Sequence, residues 1–513
     1  MQESVKVSNS HPKGLYVLFA TEMWERFNYY GMRAILSLFM IKALMFDIPF
    51  ASNLYGSYTG LIYLTPLVGG YVADRYWGNG RSIVMGGIVM AIGEFILFFC
   101  SSLYRSAPQL SGILFFVGLG CMIAGNGLFK PNISSLVGQL YPANDRRIDS
   151  AYTIFYMGIN TGGALGPLVC GLLGDTGNPS DFKWSFLAGG IGMIISVIVQ
   201  KMYQHKYVID PAGKPLGLVP RDSPKQASYP AVIMGGLFLF ALLMISILYT
   251  DARVFSFLPY LLALSAIFIV VFIFSDKTLT AVEKQKIMVI FSVSFFVVFF
   301  WTAFEQAGVS LTFFAEEKTD RNLGFAVMPA SLFQSLNSLF VVGFAPLFAW
   351  LWIKLGRREP SSPTKMAFGL LMVGAGFFVI ALGAKGLGPG MKASMLWLIA
   401  MYVFHTWGEL SLSPIGLSLV NKLAPLKFAS LLMAVWFLAN ALANKLAGTL
   451  SSLYPTEGRT TNLLGYQISN LYDYFMLFVY ASVVAALILF LLSKKLQAMM
   501  KGGKYALQDV KGG

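Results

Sequence analysis

Charged residues are scarce in this chain of 513 residues. Asp, Glu, Lys and Arg make up 12% of it, whereas a soluble domain carries about 25%. Hydrophobic residues make up 56%, and the mean hydropathy is +0.66. A chain of this composition cannot cover itself with a charged, water-facing surface. The sequence therefore predicts an integral membrane protein.

Cysteine is also scarce, and motifs of enzyme chemistry are missing. The three cysteines lie in apolar segments, so neither a disulfide framework nor a metal-ligand spacing follows. The chain has no Walker loop for ATP and no HExxH helix for zinc. A net charge of +14 suggests nucleic acid, but basic cytoplasmic loops of a multi-span protein account for it. We therefore expect no enzyme, no cofactor and no nucleic-acid partner.

Long apolar runs are what the chain does have. A membrane-spanning helix needs about 20 such residues, and by that rule the sequence predicts six spans, then two plainer ones, then six more. The fourteen predicted spans cover residues 15–42, 52–77, 82–104, 111–138, 150–174, 185–208, 231–250, 254–275, 287–314, 327–354, 366–384, 394–422, 428–453 and 472–493. The predicted domains are an N-terminal six-helix bundle (1–208), a linker with the two extra spans (209–286), and a C-terminal six-helix bundle with a cytoplasmic tail (287–513).

The basic residues of the loops predict the orientation. If both ends of the chain are cytoplasmic, the loops assigned to the inside carry most of the Lys and Arg, as the positive-inside rule requires. Weakly similar sequence in the two halves, around Pro66 and Pro346, suggests a transporter with its site between two repeats. The two plain spans are then expected to be peripheral and without a role in the chemistry.

The first span contains charges that a lipid-facing helix would not tolerate. Each charge at bilayer depth costs roughly 2.5–3.5 kcal/mol on insertion scales. At about 100° per residue, the polar side chains fall within roughly 140° of one face. They are Glu22, Glu25, Arg26, Tyr29, Tyr30 and Arg33. We expect this stripe to line a water-filled cavity through which a charged solute or an ion passes.

Few other polar side chains lie at membrane depth. They include Tyr63, Lys130, Asn160, Trp301, Glu305, Glu409, Ser413 and Trp436. The N-terminal half supplies the cations Arg33 and Lys130, and the C-terminal half supplies the anions Glu305 and Glu409. This distribution suits a zwitterionic solute that bridges the halves. Lys445, near a helix end, is expected to reach the interface instead.

At this point the residues resemble the proton-dependent oligopeptide transporter family of the major facilitator superfamily. Segment 22–31 (EMWERFNYYG) resembles the family's ExxER element, and segments 69–78 (GGYVADRYWG) and 155–162 (FYMGINTG) resemble its two signatures. Segments 129–132 (FKPN) and 408–410 (GEL) match further landmarks. The two extra spans resemble the bacterial branch. The resemblance implies an all-α membrane protein with the major facilitator fold.

The resemblance also implies an activity: proton-coupled uptake of di- and tripeptides by alternating access, with protons as the coupling ion. Arg33 and Lys130 would hold the peptide carboxylate, and Glu409, Asn160 and Asn337 would meet the amino terminus. The residues implied to shape the remaining contacts are Tyr29, Tyr30, Tyr63, Trp301, Ser413 and Trp436. The implied gating pairs are Arg33–Glu305 and Lys130–Glu409. We expect a monomer in the bacterial inner membrane.

Proton coupling falls on carboxylates in this sequence. The resemblance implies coupling by Glu22, Glu25, Arg26 and Glu305. Animal members carry a proton-linked histidine on the second span, and Gly56 stands there in this chain. The alternative substrate is another small solute such as nitrate, because plant relatives include such carriers. A membrane-embedded enzyme or a channel lacks support, since no nucleophile–base or metal cluster is evident.

Overall fold

The computed structural model describes residues 10–142, 145, 147–456 and 460–501 of the chain. Within these residues the chain is almost entirely helical. The α-helices are α1 (Lys13–Lys42), α2 (Ile48–Leu64), α3 (Pro66–Val72), α4 (Asn79–Leu103), α5 (Pro108–Gln139), α6 (Ile148–Gly174), α7 (Phe182–Tyr207), α8 (Pro230–Tyr249), α9 (Leu258–Phe274), α10 (Ala281–Phe304), α11 (Ser310–Glu317), α12 (Phe333–Leu355), α13 (Ser362–Ala384), α14 (Met395–Leu423), α15 (Ala429–Ser451) and α16 (Leu471–Met500).

In the part of the chain that the structure describes, strands form two short pairs near the ends of helices. β1 (Thr319–Asp320) pairs in parallel with β2 (Ala393–Ser394), in the register Thr319↔Ala393. β3 (Thr461–Leu463) and β4 (Tyr466–Ile468) form an antiparallel hairpin. The strands fasten loops and build no sheet core, so the all-α fold class is confirmed.

The helix bounds lie within seven residues of the predicted spans, because long apolar runs leave little doubt about where a helix lies. Ten helical stretches of the described residues are long and apolar enough to cross a membrane. The other predicted spans are also helical, at α1, α2, α9 and α14. α1 is one continuous helix whose apolar run is interrupted by the polar stripe, while α2 and α9 have only 17 residues each. Some basic residues of the orientation pattern, Lys6, Arg146, Arg459, Lys504 and Lys511, and most of the predicted tail lie outside the described residues.

Two predicted spans are each divided in two, which the apolar pattern did not predict. The second span breaks between α2 and α3, where Pro66 opens the new helix because proline has no N–H to donate. α3 then continues into a π-helical turn, Ala73–Trp77. The predicted span 287–314 breaks at a 3₁₀ turn, Glu305–Gly308, between α10 and α11. The second break therefore places the predicted coupling residue Glu305 in a turn.

The described residues cluster into two compact units. The first unit draws on Met1–Arg33, Thr65–Gly174 and Ser180–Ser246, and the second on Ala34–Leu64, Asp175–Pro179 and Ile247–Gly513. In the first unit, α4 and α5 pack closely through glycines: a Cβ on Gly125 would lie 2.6 Å from the carbonyl oxygen of Gly86. The predicted domains, divided at residues 208 and 286, are consecutive segments of the chain, whereas each unit combines several segments. The predicted division stays a prediction.

In the second unit, α2 packs on α15 through a seam of glycines. A Cβ added to Gly56 would lie 2.8 Å from the carbonyl oxygen of Lys445 and 2.9 Å from the Cα of Gly448. A Cβ on Gly60 would lie 3.0 Å from the carbonyl oxygen of Ala441. The backbones approach this closely because small residues stand on the seam. A histidine at position 56 would have to push the two helices apart.

Gly56→Ala is therefore expected to destabilise the protein. Its added methyl group meets backbone atoms that cannot move aside, and overpacking of this kind costs about 1–3 kcal/mol. Thermal unfolding of the purified protein in detergent measures the effect. The matched control is Gly343→Ala on α12, where an added Cβ meets nothing within 4 Å. A Gly56→Ala protein with the same melting temperature as the wild type would contradict the close packing of α2 on α15.

Candidate functional site

The first helix places two carboxylates around one guanidinium. Arg26 Nε lies 2.5 Å from Glu25 Oε2 and 3.2 Å from Glu22 Oε1, and Arg26 Nη2 donates to Glu25 Oε1 at 2.8 Å. The three side chains are buried, with Glu25 wholly excluded from solvent. Glu22, Glu25 and Arg26 are therefore brought together, as the sequence predicts.

Asn126 completes this cluster from α5, and the sequence analysis missed it. Its Nδ2 donates to Glu25 Oε1 at 2.9 Å, and the residue is buried. Asn126 stands one helical turn before Lys130, a spacing that puts both side chains on one face of α5. That spacing is the signal that could have identified it.

The two carboxylates of the cluster are held unequally. Glu25 receives a two-point contact from Arg26 and a further hydrogen bond from Asn126, so its ionised form is well satisfied. Glu22 has the longer contact to Arg26, and its Oε2 has no hydrogen-bond partner among the described residues. The cluster carries two carboxylates for one guanidinium. Glu22 is therefore the less well satisfied carboxylate of the cluster.

Aromatic rings line the next turns of α1. The guanidinium carbon of Arg26 lies 5.2 Å from the ring centre of Tyr29 and 5.9 Å from that of Tyr30. The guanidinium carbon of Arg33 lies 5.6 Å from the Tyr30 ring. Tyr30 thus stands between the two guanidiniums, in cation–π range of both. Arg33 is buried, while Tyr30 is partly exposed.

Two further predicted residues of the first unit lie on α5 and α6. Lys130 is partly buried and is followed by Pro131 within α5. Asn160 is buried, and its Nδ2 donates to the carbonyl oxygen of Tyr156 in its own helix at 2.9 Å. Proline removes one backbone hydrogen bond from the helix next to Lys130. Each residue is placed at depth, in keeping with a site role, and that role stays a prediction.

In the second unit, Glu409 is oriented by a hydrogen bond from another helix. Asn337 Nδ2 on α12 donates to Glu409 Oε2 on α14 at 2.9 Å and to Thr406 Oγ1 at 3.3 Å. Glu409 and Asn337 are both partly buried. The structure therefore brings together two residues that the resemblance links to the peptide amino terminus. Ser413 follows one turn later on α14 and is also partly exposed.

Glu305 and Trp301 lie at the break between α10 and α11. Glu305 begins the 3₁₀ turn and is buried. Trp301 lies one turn earlier, with its ring 5.2 Å from those of Phe300 and Phe304. The next residue, Gln306, donates from Nε2 to the carbonyl oxygen of Ala447 on α15 at 3.0 Å. The turn that carries Glu305 is thus fastened to α15.

The remaining predicted contacts lie on α2 and α15. Trp436 packs against Gly416 of α14, where a Cβ would come within 2.0 Å of its ring. Tyr63 lies near the end of α2 and is partly buried. Both predicted gating pairs, Arg33–Glu305 and Lys130–Glu409, take one residue from each unit and stay predictions.

A charged cluster at one end of the second unit was not predicted. Lys42 Nζ lies 2.5 Å from Glu316 Oε1 and 3.7 Å from Asp175 Oδ1, and Arg321 Nη2 lies 2.7 Å from Glu316 Oε2. Asp175 also accepts hydrogen bonds from the backbone and hydroxyl of Ser331, each at 3.1 Å. Burial raises the pKa of Asp175, and the Lys42 ammonium opposes this rise. These residues are far apart in sequence, so only the tertiary fold reveals the cluster.

The structure corrects the expectation for Lys445. Its side chain does not reach the interface: it is fully buried and lies 2.7 Å from Asp251 Oδ2, whose side chain is also fully buried. The apolar surroundings of both residues gave no sign of this pair. Asp251 stands in a π-helical turn, Thr250–Val254, between two plain apolar runs, so it was assigned to a loop.

An all-helical membrane protein with buried charge clusters belongs to the class of solute transporters. The sequence model of the POT family, the proton-dependent oligopeptide transporters, matches residues 80–463 of this chain. The chain belongs to this family.

Relatives that match over nearly the whole chain support this assignment. An uncharacterized transporter, YclF of Bacillus subtilis, is 36% identical over 96% of this chain and 96% of its own. The peptide transporter YePEPT of Yersinia enterocolitica is 36% identical over 86% and 87%. A di-/tripeptide transporter of Lactococcus lactis is 32% identical over 88% and 92%.

Solved structures agree with the fold. A crystal structure of a peptide transporter POT in complex with sulfate has a TM-score of 0.81 and 33% identity, covering 96% of each chain. A POT family transporter in complex with 5-aminolevulinic acid has a TM-score of 0.80 and 31% identity, covering 96% of this chain and 98% of its own. The predicted major facilitator fold and the recognised family are thus confirmed.

Proposed function

We propose that this protein is a proton-coupled symporter that takes up di- and tripeptides by alternating access. The observation that carries the proposal is the buried cluster of Glu22, Glu25, Arg26 and Asn126, in which two carboxylates share one guanidinium. A buried group of this kind is costly in a membrane and is typical of a proton relay. The similarity to the Yersinia peptide transporter and the Lactococcus di-/tripeptide transporter supports peptides as the substrate class.

The proton site is proposed to be Glu22. Asn126 holds Glu25, and Glu25 holds Arg26 at two points, so Arg26 is only partly available to Glu22. Protonation of Glu22 removes one buried negative charge and leaves a balanced Glu25–Arg26 pair. Glu305, buried in the turn after α10, is proposed as a second coupling carboxylate. No cofactor other than the coupling proton is needed for this cycle.

The peptide ends are proposed to be held by charge and its middle by aromatic side chains. Arg33 and Lys130 contact the carboxylate, since guanidinium and ammonium groups form strong charge-assisted hydrogen bonds with it. Glu409, oriented by Asn337, meets the amino terminus together with Asn160. The residues proposed for the loose contacts with the middle of the peptide are Tyr29, Tyr30, Tyr63, Trp301, Ser413 and Trp436. Fixing only the ends allows many peptides to bind.

Coupling is proposed to follow from competition for Arg33. When a peptide carboxylate binds Arg33, the guanidinium is less available to Glu305, which then accepts a proton, and the neutralised gate opens inward. The gating pairs Arg33–Glu305 and Lys130–Glu409 are part of this proposal. The protein is proposed to act as a monomer in the bacterial inner membrane, with both chain ends in the cytoplasm and no enzymatic activity.

Competition in proteoliposomes tests the substrate class. Uptake of a labelled dipeptide is measured alone and with an excess of unlabelled dipeptide, tripeptide, single amino acid or nitrate. We expect the di- and tripeptides to abolish labelled uptake, and nitrate and the amino acid to leave it unchanged. Inhibition by nitrate would contradict the proposal. So would an absence of dipeptide uptake by protein that a thermal unfolding measurement shows to be folded.

A further inference from the structure

A fully buried ion pair connects the turn before α9 to the core of the second unit. Lys445 Nζ on α15 lies 2.7 Å from Asp251 Oδ2 and 2.8 Å from Ser57 Oγ on α2. Ser57 Oγ in turn donates to Asp251 Oδ2 at 2.6 Å. One carboxylate oxygen thus joins three elements: α2, α15 and the Thr250–Val254 turn.

The second oxygen of Asp251 fixes the start of α9. Asp251 Oδ1 accepts the backbone N–H groups of Phe257 at 2.8 Å and Leu258 at 2.7 Å. These N–H groups have no partner within the helix, since the first turn of a helix leaves its donors unpaired. Every hydrogen-bonding position of the Asp251 carboxylate is therefore used. The Asp251 carboxylate therefore ties the start of α9 to α2 and α15.

Such a pair does not increase stability over an apolar alternative. Desolvating two charges offsets most of their attraction, and apolar replacements of similar volume are often equally stable. The best-attested use of a buried polar group is to fix the register of packed helices. Here the Asp251–Lys445 pair would fix the position of α15 along its own helix axis.

α15 is hydrogen-bonded to the turn that holds Glu305, so the position of α15 also affects the position of this turn. Gln306 Nε2 donates to the carbonyl oxygen of Ala447, two residues after Lys445, at 3.0 Å. One turn earlier, Thr302 Oγ1 donates to the carbonyl oxygen of Ala443 at 3.3 Å. Thr302 and Gln306 flank Glu305 in the chain. A shift of α15 would therefore move both attachments of the turn.

The same turn is also held from other sides. Gln306 Oε1 accepts from Ser310 Oγ at 2.5 Å and from Tyr474 Oη at 3.0 Å. A Cβ on Gly308 would lie 1.8 Å from Tyr55 Oη of α2. The turn is therefore fixed on both sides of Gln306, by α15 and by these neighbours.

We propose that Asp251 and Lys445 are positioning residues for proton coupling: their ion pair fixes α15, and α15 positions the Glu305 carboxylate through Gln306. The turn before α9 is then a working part of the transport machinery, in contrast to the peripheral role predicted from its apolar sequence. This inference rests on the proposed coupling role of Glu305. Spatial connection does not by itself demonstrate coupling, so the test has to read out Glu305 directly.

Chemical labelling of the carboxyl groups gives that readout. An apolar carbodiimide is added to folded protein in detergent, and modification of Glu305 and Glu22 is followed by mass spectrometry. In Lys445→Met and in Asp251→Asn/Lys445→Met, we expect the labelling rate at Glu305 to change about five-fold or more, the usual size of coupling between sites. Labelling at Glu22 is expected to stay at the wild-type rate. The double variant has no unpaired buried charge, so it is expected to fold even if the single variant does not.

Transport provides the second readout and separates this inference from the function on which it rests. We expect the double variant to lower proton-driven accumulation about five-fold or more while peptide exchange per folded molecule stays close to wild type. The control is Asp276→Asn/Lys427→Met, which removes an ion pair of the same unit in which Lys427 is exposed and Asp276 is partly buried, and it is expected to change neither readout.

Unchanged labelling of Glu305 in the double variant would overturn the inference, as would equal labelling changes at Glu305 and Glu22. A parallel loss of exchange and accumulation would also overturn it, because that is the signature of a merely structural pair. If Glu305→Gln alone keeps full accumulation, the proposed role of Glu305 fails, and the labelling result still decides whether the pair positions this carboxylate.

Discussion

Replacing Glu22 with Gln is expected to abolish proton-driven accumulation of peptide while exchange of peptide across the membrane continues. Gln keeps the shape of the side chain and its contact with Arg26, but it cannot take up a proton. One proton that crosses 100 mV supplies about 2.3 kcal/mol, enough for roughly 50-fold accumulation. In Glu22→Gln the ratio of internal to external peptide should fall to about one. Labelled dipeptide in proteoliposomes, with and without an imposed proton gradient, gives both values.

The neighbouring carboxylate provides the matched variant. Glu25→Gln removes the two-point carboxylate partner of Arg26. Glu22 is then the remaining carboxylate of the cluster in contact with the buried guanidinium. Glu22 still balances the charge of Arg26 in this variant, so the expected cost is that of a lost hydrogen bond to a charged group, about 1.5–3 kcal/mol. We expect lower thermal stability and, because Arg26 is no longer held at two points, loss of exchange as well as accumulation. A Glu22→Gln protein that still accumulates peptide would contradict the proton site. If Glu25→Gln keeps exchange like Glu22→Gln, the proposed division between the two carboxylates is wrong.

Replacing Arg33 with Ala is expected to weaken peptides with a free carboxyl terminus far more than amidated ones. A hydrogen bond to a charged group contributes about 1.5–3 kcal/mol, which corresponds to roughly 10–150-fold in affinity. Amidated peptides lack the charge that Arg33 would bind, so their affinity should change little. Inhibition of labelled dipeptide exchange by matched free and amidated peptides measures both affinities.

Arg33→Lys is the matched control for this effect. It keeps the positive charge but loses the planar guanidinium that can make two parallel bonds, so we expect an intermediate loss for free carboxylates. Equal losses of free and amidated peptides in Arg33→Ala would exclude a carboxylate contact. That outcome would leave Arg33 as a packing partner of the Tyr30 ring.

Much of the fold could be predicted because apolar runs and their polar interruptions are local features. The helices follow those runs closely, and the stripe of α1 identifies Glu22, Glu25 and Arg26 as a group because they recur at helical spacing. The family signatures fix the order of the remaining elements. The breaks at Pro66 and Glu305 were not evident, since an apolar run looks the same whether or not one turn within it changes to a 3₁₀ form.

The tertiary partners could not be predicted from one sequence. Asn126 meets Glu25 across about a hundred residues, and Asp251 meets Lys445 across 194. The sequence indicates which side chains are too polar to face lipid but not which of them meet. Lys445 shows the consequence: near a helix end, a long cationic side chain suits the interface equally well, and only packing distinguishes the two environments.

The most direct test of the central claim is accumulation of a labelled dipeptide by proteoliposomes under an imposed proton gradient. The account predicts that internal peptide rises well above the external concentration, toward roughly 50-fold for each proton at 100 mV. It also predicts that a protonophore collapses this ratio to about one. Saturable uptake that equilibrates and never exceeds the external concentration, with or without the gradient, would contradict it and indicate a facilitator without proton coupling.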